Sequence, residues 1–254
     1  MYRFDEVCRS IGKRKSAVIA FSGGYDSSYL AEACLHSLDE TCAVFVDMPI
    51  VSRRQMHEAE RIAKEIGIPL MIVSLDWDEM PNVSYNDPKR CYFCKRSVYS
   101  AVRSVADELG INTCICGDNH DDLSADRPGR AAASEFGMLA PLEDLKVTRR
   151  DILRYVESKG WSDGLIKDTC LATRIPSGTP LTDELLAEVE GWESLIRDIS
   201  GIRQVRFRHH GDHALIETSL EEMHQLRKSM LELNRIADRK GLSLRLDPEG
   251  YKNI

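Results

Sequence analysis

The stretch Ala17-Val-Ile-Ala-Phe-Ser-Gly-Gly-Tyr-Asp-Ser-Ser28 decides the fold. A short apolar run ends in Ser22-Gly-Gly24, and a helical pattern follows from Ser27 to Leu38, so the segment reads as strand, turn, helix. Glycines let backbone come close to a phosphate, and the N–H groups at a helix start face an anion with the helix dipole behind them. The loop is not a Walker A sequence, because it lacks the Gly-Lys-[Ser/Thr] ending that holds a terminal phosphate. On its residues alone it also fits an ordinary glycine turn capped by Asp26 and Ser27.

Outward from this loop the same unit repeats. Cys42 to Val46 reads as a second buried strand, Arg53 to Ile66 as a helix stopped by Gly67, and Leu70 to Leu75 as a third strand. Ser97 to Leu109 reads as another helix, stopped by Gly110, and Thr113 to Cys116 as a strand running into the acidic loop Gly117-Asp-Asn-His-Asp-Asp122. Alternation of this kind predicts α/β architecture with a doubly wound parallel sheet, whose ligands bind at the carboxyl ends of its strands. Thr148 reads as the N-cap of a helix reaching Lys159. After the Pro-, Gly-, Ser- and Thr-rich loop Cys170 to Thr182, a smaller α+β domain is expected. It holds helices at Asp183 to Ile196 and Leu220 to Arg239, and strands at Gln204 to Arg208, Ala214 to Glu217 and Leu242 to Leu246. With 254 residues against a prior of roughly 150 per domain, two domains are predicted, 1–168 and 169–254.

Composition narrows the class. Hydrophobic content of 43% and 30% charged residues are ordinary for a globular chain, and no apolar run approaches the ~20 residues of a membrane span. The stretch Met1 to Lys15 has no apolar core of a secretory signal, so a cytoplasmic protein is expected. A net charge of −7 argues against a general nucleic-acid binder, which needs a basic surface. In that setting eight cysteines are not a disulfide framework and are read as core, metal or catalysis. Cys91 and Cys94 form a C-x-x-C, which on its own suits a redox pair, half of a zinc site or part of an iron–sulfur site. Cys8, Cys34, Cys42, Cys114 and Cys116 are read as core or incidental. Arg206 and Arg208 leave one face of a predicted strand, where they suit a bidentate phosphate clamp or a solvated face. His209, His210 and His213 fit no common metal spacing and are read as solvated.

The glycine loop resembles the SGGxDS loop of the PP-loop ATP pyrophosphatases. That resemblance implies an adenine nucleotide alpha hydrolase-like fold and cleavage of ATP to AMP and pyrophosphate. It places Asp26 near Mg2+ and has Ser22, Gly23, Gly24 and Ser27 cradle the pyrophosphate. Four further segments narrow the likeness: Arg90-Cys-Tyr-Phe-Cys-Lys95; Gly117 to Asp122 with Asp126-Arg-Pro-Gly129; Cys170-Leu-Ala-Thr-Arg-Ile-Pro-Ser-Gly178; and Gln204-Val-Arg-Phe-Arg-His-His-Gly211. Together they resemble, over nearly the whole chain, the ATP-dependent sulfur transferases that mature the nickel-pincer nucleotide cofactor of lactate racemase. One position departs from that pattern, Ala125 standing before Asp126 in place of an acidic residue.

What this resemblance implies is adenylation of a carboxylate on a pyridinium biscarboxylic acid mononucleotide and its conversion to a thiocarboxylate. Gly117, Asn119, Asp122 and Arg127 would line the adenylate pocket, and Arg206 and Arg208 would hold the substrate phosphate. Arg174 would face the activated carboxylate or leaving AMP, beside Cys170. Sulfur would come through a [4Fe-4S] cluster on Cys91, Cys94 and Cys170, whose fourth iron is open to sulfide, or from Cys170 itself as a single-use donor. The cofactors implied are ATP, Mg2+ and the cluster; the partners are a small nucleotide substrate, a sulfide donor and further copies of the chain, a hexamer. Rival readings are a tRNA-thiolating PP-loop enzyme, an amide-forming synthetase, which leaves the three cysteines without a role, and a zinc-stabilised AMP-binding module.

Overall fold

The computed structural model describes residues 2–121, 129–161 and 169–251. Contacts divide the chain into two units, residues 1–83 with 89–168, and residues 84–88 with 169–254.

The first unit is built on four parallel strands in the order β3-β2-β1-β4. Helix α1 (Tyr2–Ile11) leads in, then β1 (Ser16–Ala20), α2 (Tyr25–Ser37), β2 (Glu40–Asp47), α3 (Arg53–Ile66) and β3 (Leu70–Ser74). The chain turns through α4 (Pro81–Ser84), runs along α5 (Arg90–Glu108) and returns as β4 (Cys114–Ile115) on the other side of β1. The order therefore reverses between β1 and β4, and the loops leaving their carboxyl ends open a crevice there. Thr41 to Val46 of β2 are all buried, the continuous apolar run of a strand covered on both faces. At the edge, β3 leaves Met71 and Ile72 exposed. Leu139 extends β4 by donating to Cys114 O and accepting from Cys116 N.

Local signals explain the helix limits. Ser52 caps α3, its Oγ accepting from Gln55 N at 3.1 Å, and Gly67 closes that helix with φ +82°. Helix α5 begins at Arg90, seven residues before the expected Ser97, because Cys91-Tyr-Phe-Cys94 continues the helix. It thereby carries the C-x-x-C on its first turn. Three further helices follow among the described residues of the unit: α6 (Gly129–Glu135), α7 (Pro141–Asp144) and α8 (Arg149–Ser158). Thr148 and Asp151 form a capping box at the start of α8. Helices α1, α4, α6 and α7 were not expected; α1 buries Val7 and Ile11.

The second unit holds α9 (Asp183–Ser200), β5 (Val205–His209), β6 (His213–Thr218), α10 (Met223–Asp238) and β7 (Ser243–Leu246). Its sheet is mixed, β5 antiparallel and β7 parallel to the central β6. Trp192 of α9 stacks on Phe207 of β5 with centroids 5.4 Å apart, fixing helix to sheet. The strap 84–88 belongs to this unit because buried Asn86 donates from Nδ2 to Pro176 O at 3.0 Å and accepts from Gly178 N at 2.9 Å.

Candidate functional site

In the first unit the glycine loop joins β1 to α2. Gly23 adopts φ +73°, and a Cβ there would lie 2.6 Å from Ala59 Cα of α3, so only glycine lets the loop press against that helix. Gly24 is the N-cap of α2 and lends no side-chain cap, and the N–H groups and dipole of a helix start favour an anion. Two hydroxyls brace the loop. Ser27 Oγ donates to Gly24 O at 3.1 Å and accepts from Ser22 N at 3.3 Å, while Ser22 Oγ lies 3.1 Å from Ser27 Oγ.

The loop after β4 packs onto this helix start. A Cβ on Gly117 would meet Ser27 N at 3.1 Å, so backbone lies directly against backbone. Two residues on, fully buried Asn119 donates from Nδ2 to Asp26 Oδ2 at 3.1 Å. Asn119 Oδ1 accepts from Asp121 N at 2.9 Å, and Asp121 in turn accepts from Arg149 N at 2.7 Å at the head of α8. Ser22, Gly23, Gly24, Asp26, Ser27, Gly117 and Asn119 thus form one cluster at the crevice. Asp122 and Arg127, assigned to the same pocket by resemblance, lie outside the described residues.

Lys95 joins the edge of this cluster. Its ammonium lies 5.2 Å from the Tyr99 ring centroid. Crowding alone would lower its pKa, yet Tyr99, Asp118 and Cys116 together raise it. The Cys116 thiol, bonded at 3.6 Å to Asp118 Oδ2, is pushed up to about 12 by burial, as is Cys34, so both are inert thiols. Sequence reasoning passed over Asp47, at the carboxyl end of β2. Its carboxylate pairs with both terminal nitrogens of Arg53. The end of the second strand is where α/β nucleotide folds carry a ribose-binding acid, a signal that was available.

Cys91 is exposed and Cys94 half-exposed, one turn apart on α5. Cys170 belongs to the second unit. Among the described residues no three His, Cys, Asp or Glu side chains are grouped to hold a metal, and neither unit alone contains the three-cysteine set.

In the second unit Cys170 is the N-cap of a 3-10 turn, Leu171–Arg174. Arg174 is fully buried and builds the turn. Its Nη1 donates to Thr169 O at 2.8 Å, Thr173 Oγ1 at 2.9 Å and Cys170 O at 3.3 Å, and its Nε donates to Glu193 Oε1 at 2.8 Å. Glu193, also buried, accepts from Phe207 N at 3.1 Å, tying the turn to β5. Arg206 and Arg208 share one face of β5. Arg208 donates to Thr173 O at 2.7 Å and to both oxygens of Glu217 at 2.5 and 3.0 Å. Arg206 is buried under Tyr251, 3.7 Å from its ring centroid and bonded to its hydroxyl. Both guanidiniums are therefore oriented by this unit's own groups. His210 and His213 stack at 5.2 Å beside the hairpin turn, with His213 paired to Asp212.

Among the described residues no helix is long and apolar enough to cross a membrane. No family model matches the chain. It is 32% identical over 257 residues, 99% of this chain and 95% of the relative, to slr1717, an uncharacterised protein of Synechocystis sp.. It is 31% identical over 195 residues, 76% of this chain and 75% of the relative, to MJ0830, an uncharacterised protein of Methanocaldococcus jannaschii. It is 29% identical over 202 residues, 78% of this chain and 73% of the relative, to the pyridinium-3,5-bisthiocarboxylic acid mononucleotide synthase of Lactiplantibacillus plantarum. The chain belongs to the family of slr1717 and MJ0830.

Proposed function

We propose that the protein is an ATP-dependent sulfur transferase of the PP-loop type. It adenylates a carboxylate of a pyridinium biscarboxylic acid mononucleotide and replaces one oxygen of that carboxylate by sulfur. The observation that carries the reading is the cradle at the head of α2, where Gly23, Gly24 and Gly117 let backbone approach and Asn119 holds the Asp26 carboxylate. The name of the Lactiplantibacillus plantarum relative supplies the substrate class.

ATP lies with its β and γ phosphates on the loop Ser22 to Ser27, where N–H groups and hydroxyls replace water. Magnesium, which Asp26 would hold, supplies neutralisation of charge on the phosphates. A substrate carboxylate oxygen attacks the α phosphorus; the bond to the β-phosphate oxygen breaks and pyrophosphate leaves. Lys95 places a cation beside the crevice. Hydrosulfide then adds at the acyl carbon, the carbon–oxygen bond to AMP breaks with its electron pair, and a thiocarboxylate remains. Arg206 and Arg208 hold the substrate phosphate, and Arg174 keeps the Cys170 turn in shape.

Cys91 and Cys94, one turn apart on α5, suit two of the three thiolates a [4Fe-4S] cluster needs, and Cys170 would be the third. Held by these three thiolates, such a cluster would have one iron free to bind the sulfide that is transferred. The chain acts as a homo-oligomer, a hexamer.

The test is ATP–pyrophosphate exchange on anaerobically prepared protein with Mg2+ and the pyridinium biscarboxylic acid mononucleotide. Substrate-dependent exchange, with AMP and a thiocarboxylate appearing once sulfide is added, is the expected result. Exchange stimulated by tRNA and not by the mononucleotide overturns the substrate class. About four irons per chain after reconstitution, lost on changing any of Cys91, Cys94 or Cys170 to alanine, is expected of the cluster. Absence of iron together with loss of ~34 Da at Cys170 after turnover replaces it with a single-use donor.

A further inference from the structure

The sheet of the second unit has two faces. Arg206 and Arg208 lie on one of them. Phe207 lies on the other, where α9 and α10 pack side by side: Trp192 of α9 stacks on Phe207, and Gln225 Nε2 of α10 donates to Ser200 O of α9 at 2.7 Å. The two helices run antiparallel. Helix α9 leads by a short turn into β5, which is antiparallel to β6, and α10 returns the chain from β6 to the parallel β7. Each buries its inner side, Val189 and Ile196 on α9, Leu226 and Leu233 on α10.

Their outer sides differ in sign. The exposed charged residues of α9 are Asp183, Glu184, Glu188 and Asp198, all acidic, while Arg197 turns inward to Glu193 at 3.8 Å. Those of α10 and its C-cap are Arg227, Lys228, Arg235 and Arg239 against Glu232 and Asp238, an excess of cations. Among the described residues no ion pair engages Arg227, Lys228 or Arg235. Because both helices cover one face of the sheet, their outer sides look the same way and do not pair within one copy.

Two further positions find no use in one copy. Leu231, between Lys228 and Arg235 on the outer side of α10, is 67% exposed. Gly191 stands in the middle of α9, where glycine weakens a helix. A Cβ there would meet nothing within 4 Å, so no packing inside the chain asks for glycine. What its bare backbone admits is close approach by another molecule.

The Gln225–Ser200 bond sets the register. At about 1.5 Å of rise per residue, counting forward from Gln225 and back from Ser200 brings Leu231 level with Ser194, one turn from Gly191. By the same count Arg227 stands level with Asp198, and Arg235 within a turn of Glu188. A two-fold axis parallel to the helices leaves these heights unchanged and sets the α9 of each copy over the α10 of the other.

We propose that this helix layer is a two-fold interface with a second copy of the chain, the acidic α9 of each copy on the basic α10 of the other and Leu231 set against the partner helix near its glycine. The inference deepens the homo-oligomer reading and rests on it, naming one contact of that assembly. It leaves the sheet face of Arg206 and Arg208 uncovered.

Light scattering after gel filtration gives the mass of the full chain and of two charge-reversed variants, Arg227→Glu/Lys228→Glu/Arg235→Glu and Glu188→Lys/Asp198→Lys. All these positions are exposed, so both variants are expected to keep the wild-type circular dichroism. Each by itself is expected at half the wild-type mass, because like charges then face each other across the contact. An equimolar mixture of the two is expected to recover the wild-type mass, since acid meets base again in both halves of the contact; a folding defect gives no such recovery. Leu231→Ser is expected to raise the concentration at which the assembly falls apart about tenfold. Charge-reversed chains that keep the wild-type mass, or that lose it without recovery on mixing, overturn this interface and leave the homo-oligomer reading standing. A wild type of monomer mass removes both. A fluorescein-labelled tRNA that binds the wild type and not the α10 variant, with assembly unchanged, gives the basic side to nucleic acid and overturns the proposal.

Discussion

Removing the Glu193 carboxylate tests how the Cys170 turn is held. Glu193 and Arg174 are 2% and 0% exposed at their side chains, joined Nε to Oε1 at 2.8 Å, and the same oxygen accepts from Phe207 N at 3.1 Å. Glu193→Ala leaves the guanidinium buried without its carboxylate and removes the acceptor of a strand N–H. Breaking a buried pair from one side costs about 3–5 kcal/mol, a change of about a hundredfold to several thousandfold in the opening equilibrium. Glu193→Gln keeps an acceptor oxygen for Phe207 and loses only the charge, so about 1.5–3 kcal/mol is expected. The assay is amide hydrogen exchange on peptides from α9 and β5, run alongside the rate at which iodoacetamide alkylates Cys170. Exchange in β5 should rise in the order wild type, Gln, Ala, and Cys170 alkylation should rise with it, because Arg174 bonds the Cys170 carbonyl. A Glu193→Ala protein within about 1 kcal/mol of wild type, with unchanged alkylation, refutes the view that this pair organises the turn.

Three further outcomes are expected. Gly23→Ala should reduce ATP–pyrophosphate exchange by at least about a hundredfold and destabilise the first unit by about 2 kcal/mol, because its Cβ would collide with Ala59 at 2.6 Å in a backbone of φ +73°; near-normal exchange would remove this loop from the site. Asn119→Ala frees the Asp26 carboxylate it donates to at 3.1 Å and should lower kcat for exchange about tenfold with little change in KM for the mononucleotide; an effect on KM alone would place Asn119 on substrate instead. Burial first, and then His213, depresses the pKa of His210, so the folded state takes up this proton less readily than the unfolded chain. Stability is then full above the unfolded value of about 6.5 and falls as pH drops below it toward the folded pKa; His210→Gln should flatten that fall in urea melts between about pH 7 and 5, and an unaltered slope would assign it to other groups.

The parallel sheet was legible because its signals are local: apolar runs of strand length, each followed by a helix with a readable stop such as Gly67 or Gly110. The glycine loop was legible for the same reason, since strand, glycine pair and helix start are contiguous. The start of α5 was not legible, because Cys91-Tyr-Phe-Cys94 was read for its metal or redox motif and not as the first turn of a helix. Helix α1 was missed because only Val7 and Ile11 of its ten residues are fully buried hydrophobics, too few to announce a period in a charged segment. Nor does sequence reveal that Glu193 and Arg174 meet; nineteen residues separate them, and nothing in either local pattern marks the partner.

That last case bears on how the chemistry is supported in each unit. Asn119 holds Asp26, Asp121 holds Asn119, and the head of α8 holds Asp121, so a helix far along the chain sets the carboxylate beside the glycine loop. Arg174 holds the Cys170 turn, Glu193 holds Arg174, and the backbone of β5 holds Glu193. In both units the motif residue is the last link of a chain of hydrogen bonds, charge-assisted wherever a carboxylate or guanidinium takes part and neutral between Asp121 N and Asn119 Oδ1. A substitution at Glu193 removes the acceptor of Arg174, and one at Asp121 removes the acceptor of Arg149 N that anchors the loop holding Asn119; each reaches the site as a displacement of a supported group rather than as a lost contact with substrate. Ground-state nucleotide binding and turnover should separate for such variants: the cradle's backbone survives, so ATP still binds, while the step that needs Asp26 or Cys170 in register slows.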